Sequence, residues 1–301
     1  MAQQASMGVL ALLDGEGDGD GQLLYRLPRA MATVLADPDS PDYDISLIQL
    51  VPSLMSRARS ALPQAFKTGV GQPYDEPDIS EAIDRQHRSH IRHCFIPQVI
   101  PMADARAGGT LLAALDRGTT VAELGCGGGN MLLALAKAYP RSQFHGFEVS
   151  QPALDLAEIR VKASGCTNVV LHAADSRLGS NGQKFDVVTT YDVLHDATDP
   201  AGLIADVRKA LHPETGVWLL GDICGRDSLR ENVRSNPMAA TMYSFSTCLC
   251  MSSALSAKGG AGLGTLGFTR RVARRMLAEG GFSRTEVLKE EGTTRWFLVR
   301  P

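Results

Sequence analysis

Residues 121–130 read VAELGCGGGN: glycines alternate at Gly125, Gly127 and Gly129, with Cys126 between the first two, and an acid, Glu123, stands two positions ahead. Alternating glycine suits a backbone that turns through left-handed conformations and lets a ligand approach closely. The spacing E-x-G-x-G-x-G departs from the dinucleotide fingerprint G-x-G-x-x-G, because Asn130 occupies the place of its third glycine. The ligand therefore need not seat a pyrophosphate on the helix that follows. Two further acids end apolar runs: Glu148 in FHGFEVS, next to Val149, and Asp175 in HAADSR, next to Ser176. A carboxylate closing the second strand of such a unit is positioned to hold ribose hydroxyls.

A second constellation is TTYDVLHDATDP, with Tyr191, Asp192, His195 and Asp196. A neutral imidazole near pH 7 can accept a proton in a transition state, so His195 is a candidate general base. Its alternative role is to pack against or hydrogen-bond a substrate. A third, DRQHRSHIRH, carries Arg85, His87, Arg88, His90, Arg92 and His93. Interleaved arginines repel a divalent ion and suit a carboxylate, for which guanidinium offers a planar fork of donors. A solvated helix face is the competing reading. No metal site is expected. Cys248-x-Cys250 lacks a second pair, and the calcium-like start Asp14, Glu16, Asp18, Gly19 has Tyr25 where a bidentate Glu is required.

These groups need a scaffold. From residue 110 onward, apolar β-rich runs (TVAELG, QFHGFEV, NVVLHAA, FDVVTTYD, GVWLLGDI) alternate with helical segments near 130–138, 152–164, 200–211 and 269–280, the pattern of a parallel sheet with crossover helices. TEVLKE and RWFLVR, separated by EGT, read as an antiparallel hairpin. The fold class is thus α/β, a seven-stranded, mostly parallel doubly wound sheet with a reversed last strand. Ahead of it lies a mainly helical region: 44–66 and 78–103 read as helices capped by Asp44 and by Asp78 or Ser80, and VLALLDGEGDGDGQLLYRLP reads as a β-hairpin around an acidic tip. The domain boundary falls at 108/109. Between the fifth strand and the last helix, MYSFSTCLCMSSALSAKGGAGLGTLGF is far longer than an ordinary connection and reads as a substrate lid lined by Met242, Tyr243 and Met251.

The whole chain has 301 residues, 44% hydrophobic, with a formal charge of -3. That length can bury a full core, and the charge argues against a nucleic-acid or anionic-membrane partner. No apolar run approaches the ~20 residues of a bilayer span, and the start lacks a secretory pattern. A cytoplasmic protein with its six cysteines reduced is expected.

The motifs together resemble the class I S-adenosylmethionine-dependent methyltransferases over residues 110–301. The resemblance implies that the 125–129 loop, with Glu123 and Cys126, wraps the methionine part of S-adenosylmethionine. It further implies that Glu148, beside Val149, accepts both ribose hydroxyls, that Asp175 and Ser176 lie near the adenine, and that Tyr191, Asp192, His195 and Asp196 face the transferred methyl group. LHDATDP is similar to the HD-x-x-D segment of small-molecule O-methyltransferases, in which the histidine deprotonates a hydroxyl. The lid and hairpin resemble a bacterial winged-helix subgroup that includes the methylthiohydroxybutyrate S-methyltransferases of dimethylsulfoniopropionate synthesis. This implies a homodimer, a small acidic substrate gripped by Arg85, His87, Arg88, His90 and Arg92, and a cover contributed by Met242 and Tyr243. In that subgroup three helices precede the wing, and here about a dozen residues do, so the N-terminal 1–108 region is expected to hold only a winged-helix remnant and a helical substrate cover. O-methylation with His195 as base is the enzymatic alternative. A winged-helix regulator is the non-enzymatic one, disfavoured by the missing recognition helix and the negative charge.

Overall fold

The computed structural model describes residues 1–13, 23–173 and 175–301. The two apolar arms near the N-terminus pair antiparallel as β1 (Ala11–Leu12) and β2 (Tyr25–Arg26). The acidic tip, with Asp14, Glu16, Asp18 and Gly19, lies outside the described residues. The main sheet holds β3 (Thr120–Leu124), β4 (Gln143–Phe147), β5 (Val169–Leu171), β6 (Val187–Tyr191), β7 (Val217–Ile223), β8 (Arg284–Glu291) and β9 (Thr294–Arg300), in the spatial order β5-β4-β3-β6-β7-β9-β8. β9 runs antiparallel to both neighbours, and the others in the sheet are parallel to one another. The reversed last strand and the hairpin closing the chain are as the sequence predicts.

β6 and β7 are buried almost throughout because helices cover both faces. On one face Val121, Phe144, Val187, Tyr191, Val217 and Trp296 meet Phe95, Val99 and Ile100 of the N-terminal region and Met131, Leu132 and Leu135 of the Asn130–Ala138 helix. On the other, Ala122, Val188, Trp218, Leu220 and Phe297 meet the Pro200–Ala210 and Arg270–Glu279 helices. The order reverses between β3 and β6, so ligands belong at the carboxyl ends of those strands.

The N-terminal helices depart from expectation. The predicted 44–66 helix is two, Ser46–Ser60 and Leu62–Thr68, with Pro63 at the start of the second, where a ring without an N–H fits. The predicted 78–103 helix is three consecutive segments: α-helical Pro77–His90, π-helical Ile91–Val99 and α-helical Ile100–Arg106. Pro97 supplies no backbone donor here. The His93 carbonyl instead accepts from the Gln98 side-chain amide at 2.8 Å, and the Ile100 N–H reaches five residues back to Phe95. The predicted side-chain caps are absent: Asp44 accepts from the Ser46 hydroxyl (2.6 Å), and Asp78 lies within the first turn of its helix. No helix among the described residues is long and apolar enough to cross a membrane.

The long connection after β7 forms helices Leu229–Ser235, Ala239–Cys248 and Cys250–Ala254 and an irregular stretch up to 269. Arg57, 3% exposed, ties this lid to the N-terminal region. Its guanidinium donates to the carbonyls of Cys248 (2.9 Å), Pro73 (3.0 Å) and Gln72 (2.7 Å) and to the Glu76 carboxylate (2.8 Å). Arg57→Ala leaves three carbonyls and the half-buried Glu76 carboxylate without their donor, so a loss of about 1–3 kcal/mol is expected in chemical denaturation. A loss below ~1 kcal/mol would mean that this node does not join lid and N-terminal region.

Candidate functional site

The glycine loop leaves β3 with Gly125, Gly127 and Gly129 at φ 73°, 51° and 80°, conformations that a Cβ disfavours. It is fastened to the end of β4: Gly125 and Cys126 N–H donate to the Phe147 carbonyl (2.8 and 3.1 Å), and Gly127 N–H donates to Glu148 Oε2 (2.8 Å). Glu148 Oε1 accepts from Ser150 N–H (2.8 Å). Burial pushes the Glu148 carboxyl pKa up, and these backbone donors act against that rise. A Cβ on Gly125 would lie 2.5 Å from Val193 Cγ2, whereas one on Gly127 meets nothing within 4 Å. Gly125→Ala should therefore destabilise the fold by more than Gly127→Ala, whose cost is the ~1–2 kcal/mol of a left-handed residue. Paired thermal melts test this, and equal shifts would contradict it.

Glu123 is 3% exposed, its Oε2 has no partner, and burial, reinforced by the charges of Asp84 and Glu148, raises its pKa well above the ordinary value. Asp84 descends from the Pro77–His90 helix and pairs with Arg160 of the Gln151–Ser164 helix. Arg160 also donates to the Gly128 carbonyl (3.0 Å), and Asn130 Nδ2 donates to the Asp84 carbonyl (2.8 Å). The N-terminal helix is thereby pinned over the loop. Sequence reasoning missed Asp84 and Arg160, although Asp84 shares the i, i+3, i+7 face of His87 and Ile91. At the rim of the same region Val149 is 82% exposed. Asp175 is exposed in the turn after β5, where Ser176 N–H closes onto the Ala173 carbonyl (2.8 Å).

Beyond the loop, β6 ends in Tyr191, whose ring centroid lies 4.3 Å from His87, 5.3 Å from His90 and 5.2 Å from Trp296. Trp296 Nε1 donates to His90 Nε2 (2.9 Å), which leaves the proton of a neutral His90 on Nδ1, and burial lowers that imidazole's pKa. Asp192 follows at φ 55°, strained for a non-glycine residue. His87 Nε2 meets its Oδ2 at 2.9 Å, while Oδ1 is buried without a partner. Burial works against the Asp192 charge, but the His87 hydrogen bond and the His87, His195 and His90 charges outweigh it and hold the carboxyl below its usual range.

His195, 2% exposed, sets Nδ1 2.7 Å from Oδ1 of Asp222, itself 1% exposed. Asp222 also accepts Ile223 N–H on Oδ1 (2.7 Å) and Leu194 N–H on Oδ2 (3.1 Å). Burial alone would lower the His195 pKa; the charge and hydrogen bond of Asp222 override it and raise the pKa well above 6.5. The lid closes over this pair, with Gly264 N–H on the His195 carbonyl (2.8 Å) and the Cys250 thiol beside the ring. Tyr74 hydrogen-bonds Asp196, whose carboxyl is pushed up to about 7, by burial first and by the Asp222 charge, with His195 opposing. Asp222 escaped the sequence reading, although a lone acid in the buried run GVWLLGDI is itself a signal. Ligand atoms of Asp192, His195 and Asp222 lie within 4.8 Å of one another, but both Asp222 oxygens and one Asp192 oxygen already hold N–H partners.

The structure brings His87 and His90 to this site and turns the arginines elsewhere. Arg85 pairs with Glu81 (2.7 Å), Arg92 pairs with Asp39, and Arg88 is exposed. Met242 is buried within the lid and Tyr243 is half-buried. Among the described residues, the lid reaches the His195 group through Gly264 and Cys250 instead.

The sequence family described as Methyltransferase domain matches residues 115–290. Among curated relatives, the ubiquinone biosynthesis O-methyltransferase of Thiobacillus denitrificans is 30% identical over 112 residues, 37% of this chain and 47% of that protein. The release factor glutamine methyltransferase of Xylella fastidiosa is 33% identical over 110 residues, 36% of this chain and 38% of that protein. The chain thus spans less than half the length of either. Among solved structures, an O-methyltransferase family protein from Burkholderia thailandensis matches with a TM-score of 0.66 at 15% identity, covering 99% of this chain and 81% of that one. Human N-acetylserotonin methyltransferase in complex with S-adenosylmethionine gives 0.62 at 18% identity, covering 99% and 81%. At such identities the structures speak to the fold alone.

Proposed function

Because the chain belongs to the methyltransferase-domain family, we propose that it is an S-adenosylmethionine-dependent O-methyltransferase acting on a hydroxylated small molecule, with His195 as general base. The observation that carries the oxygen acceptor is the His195 and Asp222 pair. A carboxylate can only accept, so the imidazole proton is held on Nδ1 and Nε2 is left to receive one.

The residues present fit the cofactor. Gly127 leaves the space where its Cβ would stand open, Glu123 Oε2 is a buried polar atom without a partner, and Val149 is an uncovered apolar surface next to the Glu148 carboxylate. Glu148 would hold the ribose, the 125–129 backbone the methionine part, and Val149 and Asp175 the adenine. When bound, S-adenosylmethionine supplies the methyl group from a sulfonium centre.

The chain's own work is alignment and proton removal. Tyr191, His87 and His90 form a wall that orients the acceptor, and holding reacting atoms in line is the largest gain available to such a transfer. His195 Nε2 takes the hydroxyl proton, and Asp222 stabilises the imidazolium that results. Since His195 is 2% exposed, the lid must move before an acceptor reaches it.

S-methylation of methylthiohydroxybutyrate would leave this proton acceptor without a task, and its carboxylate finds Arg85 and Arg92 already paired. The decisive experiment is a panel of phenol, alcohol, thioether and carboxylate acceptors with methyl-labelled S-adenosylmethionine. Label on a hydroxyl oxygen is expected, and exclusive label on a thioether sulfur would overturn the reading.

A further inference from the structure

The charge around His195 bears on which hydroxylated molecules can enter. Two carboxylates, Asp192 and Asp222, cluster with the His195 imidazole, which pairs with Asp222 alone and leaves the Asp192 charge uncancelled by it, and the Asp196 carboxyl stands close by. Among the described residues, the cations of the basic helix and its neighbours are turned elsewhere: Arg85 to Glu81, Arg92 to Asp39, Arg57 to Glu76, Lys289 to Gln98 and Glu291, and Arg88 is exposed. His195 has its Nδ1 on Asp222, and His90 receives rather than gives at Nε2. Asp192 Oδ1, beside the His87 and Tyr191 rings, is buried without a partner, on a carboxylate whose other oxygen is held by His87. An unpaired buried acceptor costs free energy until a donor fills it, and a second carboxylate brought against it adds repulsion. Beside it lie the rings of His87, His90 and Tyr191, a surface suited to a planar or cationic group.

We infer that the methyl acceptor is a hydroxylated ring compound that presents an ammonium or amide N–H to Asp192 Oδ1, and that carboxylate-bearing acceptors are rejected. This rests on the function proposed above and narrows it to neutral and cationic substrates, opposite in sign to the acidic one that the basic helix implied. Asp192 selects by charge, while His195, a few ångströms away in the same network, does the proton chemistry.

The test uses three phenols that differ only in the end group, tyramine, 4-hydroxyphenylacetamide and 4-hydroxyphenylacetate. Each is titrated at millimolar concentration into the full chain saturated with S-adenosylhomocysteine, with binding read by ligand-observed NMR. Tyramine should bind at least about tenfold more tightly than the acetate, with the amide between them. In Asp192→Asn the spread should shrink to about threefold or less, with S-adenosylhomocysteine affinity retained as the check that the site is still folded. The inference is overturned if the acetate binds as well as the amine, if none of the three binds, or if Asp192→Asn keeps the full preference. If S-adenosylhomocysteine does not bind the unaltered chain, the functional reading itself fails and takes this inference with it. Lost discrimination in the loaded protein sinks the inference alone.

Discussion

His195→Ala should lower kcat by about 10² to 10⁴ for a hydroxyl acceptor while leaving cofactor affinity almost unchanged, because the imidazole acts on the proton and not on the cofactor. The pH profile carries the sharper signature. His195 must be neutral to act, and Asp222 raises its pKa well above 6.5, so the acidic limb of kcat should lie on the alkaline side of an ordinary histidine. Asp222→Asn removes the charge that favours the imidazolium, so it should move that limb to lower pH while kcat falls. The same pair couples to stability. A raised folded pKa means that its contribution is fully present below the unfolded value of ~6.5 and is lost as pH rises through the folded one. Asp222→Asn should therefore destabilise more at pH 6 than at pH 9. A wild-type kcat that stays flat across this range would remove His195 as the base and restore a thioether, which has no proton to give up, as the acceptor to consider.

Glu148→Ala should weaken S-adenosylmethionine and S-adenosylhomocysteine binding by roughly 1.5–3 kcal/mol, or more if the loop loosens, since charge-assisted hydrogen bonds to a ribose are lost. The variant also frees the Gly127 and Ser150 amides that the carboxylate now holds. Glu148→Gln separates the two effects, since it keeps an acceptor for one amide and a group of the same shape. Calorimetry on all three proteins, with NAD as a control ligand, is the measurement. Unchanged affinity in Glu148→Ala, or tight NAD binding by wild type, would falsify the cofactor assignment.

The sheet was legible in the sequence because its strands are apolar runs bounded by turn residues, and its helices begin and end at Pro and Gly. Predicted 130–138 and observed Asn130–Ala138 coincide, and the neighbouring helices differ by a residue at their ends. The glycine loop and Glu148 were legible for a related reason: local backbone demands leave their mark in residue type. What escaped was non-local. Asp222 and Asp84 owe their environments to partners 27 residues and 76 residues away, and no spacing rule reports such pairings. The three arginines misled in the opposite sense. Their composition suggested an anion grip, but the helix phase carries them to Glu81, Asp39 and solvent. Arg57 and Pro97 make a similar point, because a buried guanidinium and a π-helical stretch are tertiary outcomes that residue propensities do not encode.

The π-helical stretch Ile91–Val99 also fixes a phase. Each residue of an α-helix turns the chain by about 100°, so a wider stretch behaves like an insertion whose angular offset is absorbed within the helix instead of in a loop. Removing a single residue from it, as in a deletion of Gln98, would let the stretch relax to α-helical winding and swing Asp84, His87 and His90 around the axis as one unit. Arg160, Asp192 and Trp296 would then lose their partners together, while the sheet and the packing of Phe95 could largely persist. In this chain, one residue's worth of helical phase separates a completed acceptor wall from a well-folded scaffold that lacks it.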